Sequence, residues 1–413
     1  MREMKDSEIE WIGAIPAAWG VHRIASHFQE VKEKNTANEY SNALQFKMGR
    51  IIAKPQKWDE EEINEIYAAY TVVHPNTIMI NGLNLEFDFV TQRVAQVECD
   101  GIITSAYIAL SPRDDINAKY ICYLLKSYDA CRAFHSMGRG LRKILSFSEL
   151  KNKPIIVPPL AEQERIAAFL DAECAEVDAV LEKTRASIDE YKKLKQAVIT
   201  QAVTKGIRGD RPMKDSGIEW TSSIPYDVSI SRIGLHFNII LGKMLCLTPL
   251  DETYTLESYY CAADVHFEGI SKGEKKRMWF NPTEKQQYLV NNGDLLVVEG
   301  GAGAGGCAIV RENDKQMFIQ NSIMIVRPKE QSSTRYLRYL MECFVKQGYI
   351  DVVCNKATIP HFTKDKLSTM PYIVFSVDEQ KEIADYLDVK CAEIDNLISK
   401  KEQYITEIEN YKK

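Results

Sequence analysis

The strongest constraint on this chain is a stretch of text that occurs twice. Residues 160–195 read LAEQERIAAFLDAECAEVDAVLEKTRASIDEYKKLK, and residues 377–413 read VDEQKEIADYLDVKCAEIDNLISKKEQYITEIENYKK. Glu162 and Gln163 match Glu379 and Gln380, Ile166 matches Ile383, Leu170 and Asp171 match Leu387 and Asp388, and Cys174 matches Cys391, all at an offset of 217 residues. In the first copy Ile166, Leu170, Cys174, Val177, Leu181, Ile188, Tyr191, Leu194 and Val198 fall three or four apart, or seven apart across a skipped turn. That is the stripe of a long amphipathic helix with near-heptad spacing. About 40 residues at 1.5 Å rise span roughly 60 Å, too long merely to cover one domain. Two such stripes in one chain are most simply buried against each other. If the helices run antiparallel, they hold two domains apart with approximate two-fold symmetry.

A second repeated text opens each half. Residues 4–28 read MKDSEIEWIGAIPAAWGVHRIASHF and residues 213–237 read MKDSGIEWTSSIPYDVSISRIGLHF, at an offset of 209. Arg23 and Ile24 match Arg232 and Ile233, and His27 and Phe28 match His236 and Phe237. Two ordered repeats mean two copies of one architecture. The join, TKGIRGDRP over residues 204–212, has the Gly and Pro of a helix stop and a loop.

Between the repeats the two halves differ in text but not in pattern. The first half has strand-like runs at 70–73, 77–80 and 101–110, bounded by turn formers such as Pro75-Asn76 and Asn81-Gly82, then a helix over 118–134. The second has strand-like runs at 287–290, 294–298, 307–310 and 321–326, then a helix over 334–346. Both halves then pass through a basic loop and an apolar run, PIIV at 154–157 and PYIV at 371–374. Ser376 and Glu379 are spaced as a capping box for the second long helix. The expected class is α+β, with domains alternating with long helices and a pseudo-two-fold internal repeat. The expected boundaries are 1–157 and 207–375 for the two domains, with helical spacers at 158–206 and 376–413.

Composition excludes some functions. The longest apolar runs are far too short for a membrane span, and the charged N-terminus lacks the apolar core of a signal peptide, so a cytoplasmic protein is expected. The ten Cys include no CxxC pair, which argues for reduced thiols and no metal site. Residues 300–306, GGAGAGG, look superficially like a dinucleotide loop, but CAIV follows where that loop needs a helix. No P-loop, HExxH or nucleophile signature is present, so nothing supports an enzyme or a cofactor in this chain.

Net charge is −6, but its distribution matters more than its sum. Residues 161–200 carry nine acidic and six basic side chains, and residues 376–413 carry ten and six. Acidity therefore belongs to the helices, and the domains between them hold basic clusters. RAFHSMGRGLRK at 132–143 has no acid, and KGEKKR at 272–277 precedes Trp279 and Phe280. Lys and Arg neutralise phosphates, and Arg, Asn or Gln can read base edges. The candidates for DNA contact are Arg139, Arg142 and Lys143, with Gln92 and Arg93 behind them. In the second domain they are Lys272, Lys275, Lys276, Arg277 and Lys356, with Thr358 and His361 behind them. The competing reading is ordinary solvated surface.

These residues together resemble the specificity subunit of a type I restriction-modification system. The likeness rests on MKDS, IEW and IP at the start of each half and on PPLAEQERIA at 158–167, echoed at 378–384. GDLL at 293–296 is a further family-like run. The second half departs from it, with Phe375-Ser376 where the first has Pro158-Pro159. The resemblance implies two target-recognition domains, each reading half of a bipartite site in double-stranded DNA. It implies an antiparallel helix pair that sets the spacer. It also implies two methyltransferase subunits, which carry S-adenosylmethionine, and motor-nuclease subunits as partners. Competing readings are a coiled-coil adaptor for protein partners and part of a single-chain DNA-modifying enzyme.

Overall fold

The computed structural model describes residues 2–47, 49–55, 65–86, 88, 92–138, 143–218, 220–311, 316–329, 332–354 and 361–412. The chain divides into two units, residues 1–182 with 405–413, and residues 183–404.

In the first unit the opening repeat forms a hairpin, Met4–Asp6 against Ala14–Pro16. Gly20–Arg23 pairs antiparallel with Pro154–Val157, the strand just before the long helix. An antiparallel sheet follows in the order Phe28–Glu30, Ile108–Pro112, Ile78–Ile80, Val94–Gln96. The expected single strand at 101–110 is two strands. Gly101–Ile103 pairs with Thr71–Val73 in a separate sheet, and a turn at 104–107 carries the chain to Ile108. The helix is Ala118–Ala130, shorter than expected, because the chain tightens into a 3-10 turn at Ala133–Ser136. Asn117 caps it by accepting from Tyr120 N at 2.9 Å.

The second unit repeats this plan. Met213–Ile218 pairs with Thr221–Pro225, and Ser229–Arg232 with Pro371–Val374. The main sheet runs Phe237–Leu241, Ile323–Pro328, Leu295–Val298, Cys307–Ile309, all antiparallel. Counted along the chain, both sheets have strand order 1-4-2-3. The helix Thr334–Lys346 has the expected bounds and buries Tyr336, Leu337, Leu340, Met341 and Phe344. One expected strand is wrong: Gln287 and Tyr288 end the helix Pro282–Tyr288. Asn281 and Glu284 form a capping box around Pro282, and that local signal wins over the apolar text that follows.

The long helices are Leu160–Lys205 and Val377–Tyr411. At 46 and 35 residues they reach about 69 and about 52 Å. The first begins as soon as Pro158-Pro159 releases the chain. The second has only half of the expected capping box. Ser376 Oγ accepts from Glu379 N at 3.3 Å, but the Glu379 carboxylate turns to Arg211 instead of Ser376 N. The stripe also moves. Leu181 and Ile188 are buried, but Leu194 is 49% exposed and burial passes to Ile199, Ala202 and Val203. A helix drifts by about 20° per heptad, so a stripe begun at Ile166 has rotated off its line by Leu194. Within the second unit the two helices touch. Lys195 Nζ donates to both Asp395 oxygens at 2.8 and 2.7 Å, and Lys401 lies 5.7 Å from the Tyr191 ring centre.

Candidate nucleic-acid interface

The structure separates the basic candidates into exposed, internal and structural groups. Lys272, Lys276 and Arg277 are exposed around the turn into the strand Arg277–Phe280. Trp279, on the same strand, is half-buried. Exposed cations beside a partly exposed indole can neutralise phosphates and offer a stacking face. Lys143 and Gln92 are exposed in the first unit. Lys143 sits at φ 41, a left-handed position in the loop that closes on Leu85. His361 is exposed, 3.8 Å from Glu299, and bridges Gly300 across an isolated antiparallel contact. Arg139, Arg142, Lys356 and Thr358 lie outside the described residues.

Two candidates are corrected. Arg93 is 1% exposed, and its guanidinium donates to the carbonyls of Asn81, Leu83 and Asp88 at 3.1, 2.7 and 2.6 Å. It props the 81–88 loop from inside and offers nothing to a DNA backbone. Lys275 donates to Asp264 and to Ser271 O, both at 2.6 Å, and lies over the Tyr260 ring. Burial alone would raise the Asp264 carboxyl; the Lys275 ammonium and hydrogen bonds from Cys261 hold it below its ordinary 3.8. A lysine held this way is committed to its own domain.

The glycine run forms a hairpin loop. It joins Leu295–Val298 to Cys307–Ile309, with Val297 opposite Cys307 and Gly305 N donating to Val298 O at 2.9 Å. Gly305, at φ +80, has no room for a side chain, since a Cβ there would sit 3.1 Å from Val345 and Ile350. A cleft of about 1170 Å³ in the second unit, reached by Lys272, is lined by Lys195, Arg335, Arg338, Tyr339 and Asp388. Three of its cations are already matched: Lys195 with Asp395, Arg335 with Asp385 and Asp388, Arg338 at 3.3 Å from Glu342. Among the described residues no three His, Cys, Asp or Glu side chains are grouped as metal ligands, and no helix is long and apolar enough to cross a membrane.

The sequence matches the type I restriction modification DNA specificity domain over residues 99–188 and 273–410, more than half of the chain. The chain belongs to this specificity family. It is 22% identical over 424 residues to the type I restriction enzyme MjaX specificity subunit of Methanocaldococcus jannaschii, covering 97% of this chain and 92% of that one. Two solved structures share its fold. One is from work on complex assembly and conformational transition of the type I R-M system, with TM-score 0.70, 15% identity and 96% of each chain covered. The other is the HsdS subunit from Thermoanaerobacter tengcongensis, with TM-score 0.57, 17% identity and 96% and 95% covered.

Within this specificity chain, the sequence pairs Glu162 with Glu379, but the arginines that bind them lie just ahead of the repeated opening texts and were not read as partners. Arg2 Nη1 donates to Glu162 at 2.5 Å, and Arg211, at the repeat offset of 209, bonds Glu379. Trp19 Nε1 adds a 3.0 Å bond to Glu162, and Asp227 a second partner for Arg211. The offsets alone could have paired these residues. The repeat also extends into the short helices, where Tyr120 and Tyr123 correspond to Tyr336 and Tyr339. Tyr120 OH donates to Ile156 O at 3.2 Å, and Tyr336 OH to Ile373 O at 3.1 Å.

Proposed function

We propose that this specificity subunit reads one half of a bipartite DNA sequence with each recognition domain, while the two long helices, packed antiparallel, set the spacer between the halves. The observation that carries the reading is a framework whose main contacts recur, Arg2–Glu162 with Arg211–Glu379, buried Gln163 with Gln380 and Tyr120 with Tyr336, around interiors whose text differs. A shared framework suits a common task, and divergent interiors suit two different half-sites. Lys195 with Asp395, Lys401 with Tyr191 and Arg208 with Glu382 support the antiparallel sense, because the first residue number rises as the second falls. Exposed Lys143, Lys272, Lys276 and Arg277 are the proposed phosphate contacts. Two methyltransferase subunits, carrying S-adenosylmethionine, dock on the helical framework, and motor-nuclease subunits join them for restriction. The chain itself supplies recognition and no catalytic group. Double-stranded DNA with two half-sites on one face fits a reader with an internal two-fold.

Methylation-sensitive sequencing of the host genome should reveal a modified motif in two parts with a fixed gap. Inserting four residues within 182–195 lengthens the helix by about 6 Å, so the gap should grow by about two base pairs. Both half-sites should stay the same, and a change in either would overturn the reading. DNA binding should also fall steeply with salt, which a protein-only adaptor would not show.

A further inference from the structure

Each recognition domain is attached to its long helix by the same buried side chains. In the first unit Gln163 is fully buried. Its Nε2 donates to Pro158 O at 2.8 Å, and its Oε1 accepts from Asn117 N at 2.9 Å, the cap residue of the helix Ala118–Ala130. In the second unit Gln380 is also fully buried. Its Nε2 donates to Phe375 O at 2.8 Å, and its Oε1 accepts from Ser333 N at 2.9 Å, the cap residue of Thr334–Lys346. A second contact lies further along each helix. Tyr123 OH donates to Asp171 at 2.9 Å, with Lys119 at 2.7 Å. Tyr339 OH donates to Asp388 at 2.5 Å, with Arg335 on the same carboxylate. Gln163 and Asp171 are two helical turns apart, as are Gln380 and Asp388, so each domain is held at two points along the helix. Two points fix an angle where one would leave a pivot.

We propose that these two clasps, Gln163 with Tyr123–Asp171 and Gln380 with Tyr339–Asp388, are positioning devices that fix the angle of each recognition domain on its helix and so fix the number of base pairs allowed between half-sites. The proposal rests on the reading that the helices set the spacer. Geometry makes the angle matter. A domain of this size reaches roughly 25 Å from its attachment. A tilt of about 10° there moves its far face by about 4 Å, roughly one base-pair step. A spacer one base pair longer is therefore refused only if the domain cannot tilt. Neither clasp touches the exposed basic residues, so base reading and spacing are separable.

The test uses the full chain and duplexes carrying both half-sites, taken from the methylated motif, at the native gap and at one base pair more and less. The wild type should favour the native gap at least tenfold. Gln380→Ala, Gln163→Ala and the double change Tyr339→Phe with Asp388→Asn should each reduce that preference below about threefold. Affinity for a duplex with a single half-site should stay within twofold. The milder double change keeps the test open should either glutamine variant fail to fold. A wild type that discriminates gaps, with variants that discriminate equally well, overturns the clasp and leaves the spacer reading intact. A wild type indifferent to the gap overturns both.

Discussion

Trp11 stands edge-on to Tyr128 in the first half, with ring centres 5.5 Å apart, and Trp220 stands edge-on to Phe344 in the second, at 5.0 Å. The two tryptophans belong to the same repeated IEW, and Tyr128 and Phe344 are equivalent positions on the short helices. The halves agree at this root and then diverge in how much they bury. In the second half, the core around Trp220 also takes in Tyr349, Ile350 and Phe362 with Ile383, Leu387 and Cys391 of the long helix. In the first half, among the described residues, the corresponding core takes in Ala167 of the long helix, with Ile166 partly buried against it. The root is shared because both domains must be mounted alike. On the proposed reading each domain faces a different half-site, which leaves the packing above the root free to differ.

The sharpest challenge to that comparison uses one pair of leucines. Leu340 is fully buried in the second-half core, and its counterpart Leu124 is only partly buried in the first. Leu340→Ala should cost about 3 kcal/mol and Leu124→Ala about 1 kcal/mol, read from denaturant unfolding of the full chain. Equal losses would mean that the halves are packed alike despite their different burial.

Much of this contrast was legible in the text, and the limits have physical causes. The two repeats and the helix over 334–346 were readable because periodicity and identical letters are local signals. The strand order 1-4-2-3 was not, because it depends on partners far apart in the chain. The match of Tyr120 to Tyr336 was hidden because only Tyr120, Tyr123 and Leu124 recur along the short helix, as Tyr336, Tyr339 and Leu340, and the offset, 216, falls between those of the two repeats. Arg93 misled because charge does not reveal which side of a loop a guanidinium occupies. In the described residues, its guanidinium donates to four carbonyls of the loop it supports, Asn81, Leu83, Asn84 and Asp88. Lys275 misled similarly, since the acid that claims it, Asp264, lies eleven residues upstream.

The next pair tests the roots of the long helices. The Glu379 side chain is 4% exposed between Arg211 and Arg208, and Glu162 is 16% exposed beside an Arg2 that is largely in solvent. Glu379→Ala leaves Arg211 with one partner at the rim of a buried site and should cost about 2 kcal/mol. Glu162→Ala should cost less, because solvent screens the Arg2 pair. Thermal unfolding of the two variants decides, and a larger loss at Glu162 would reverse the assignment of the tighter root.

The smallest expected effect concerns acid. Burial pushes the Asp388 carboxyl up, but the hydrogen bond from Tyr339 and the Arg335 guanidinium outweigh it and hold the group below its ordinary 3.8. The folded state thus binds the proton more weakly than the unfolded chain does. The stabilisation is complete above about pH 4 and is lost as the pH falls through the depressed folded value. Because the side chain is more than a third exposed, the contribution is screened and should stay under about 1 kcal/mol. Asp388→Asn removes the titrating group, so its stability should fall less steeply than that of the wild type between about pH 4 and pH 2.5. Parallel curves would mean that Arg335 and Tyr339 do not favour the charged carboxylate in solution. The polar part of the second-half clasp would then rest on Gln380, and the packing of Ile383, Leu387 and Cys391 would be left to oppose a tilt.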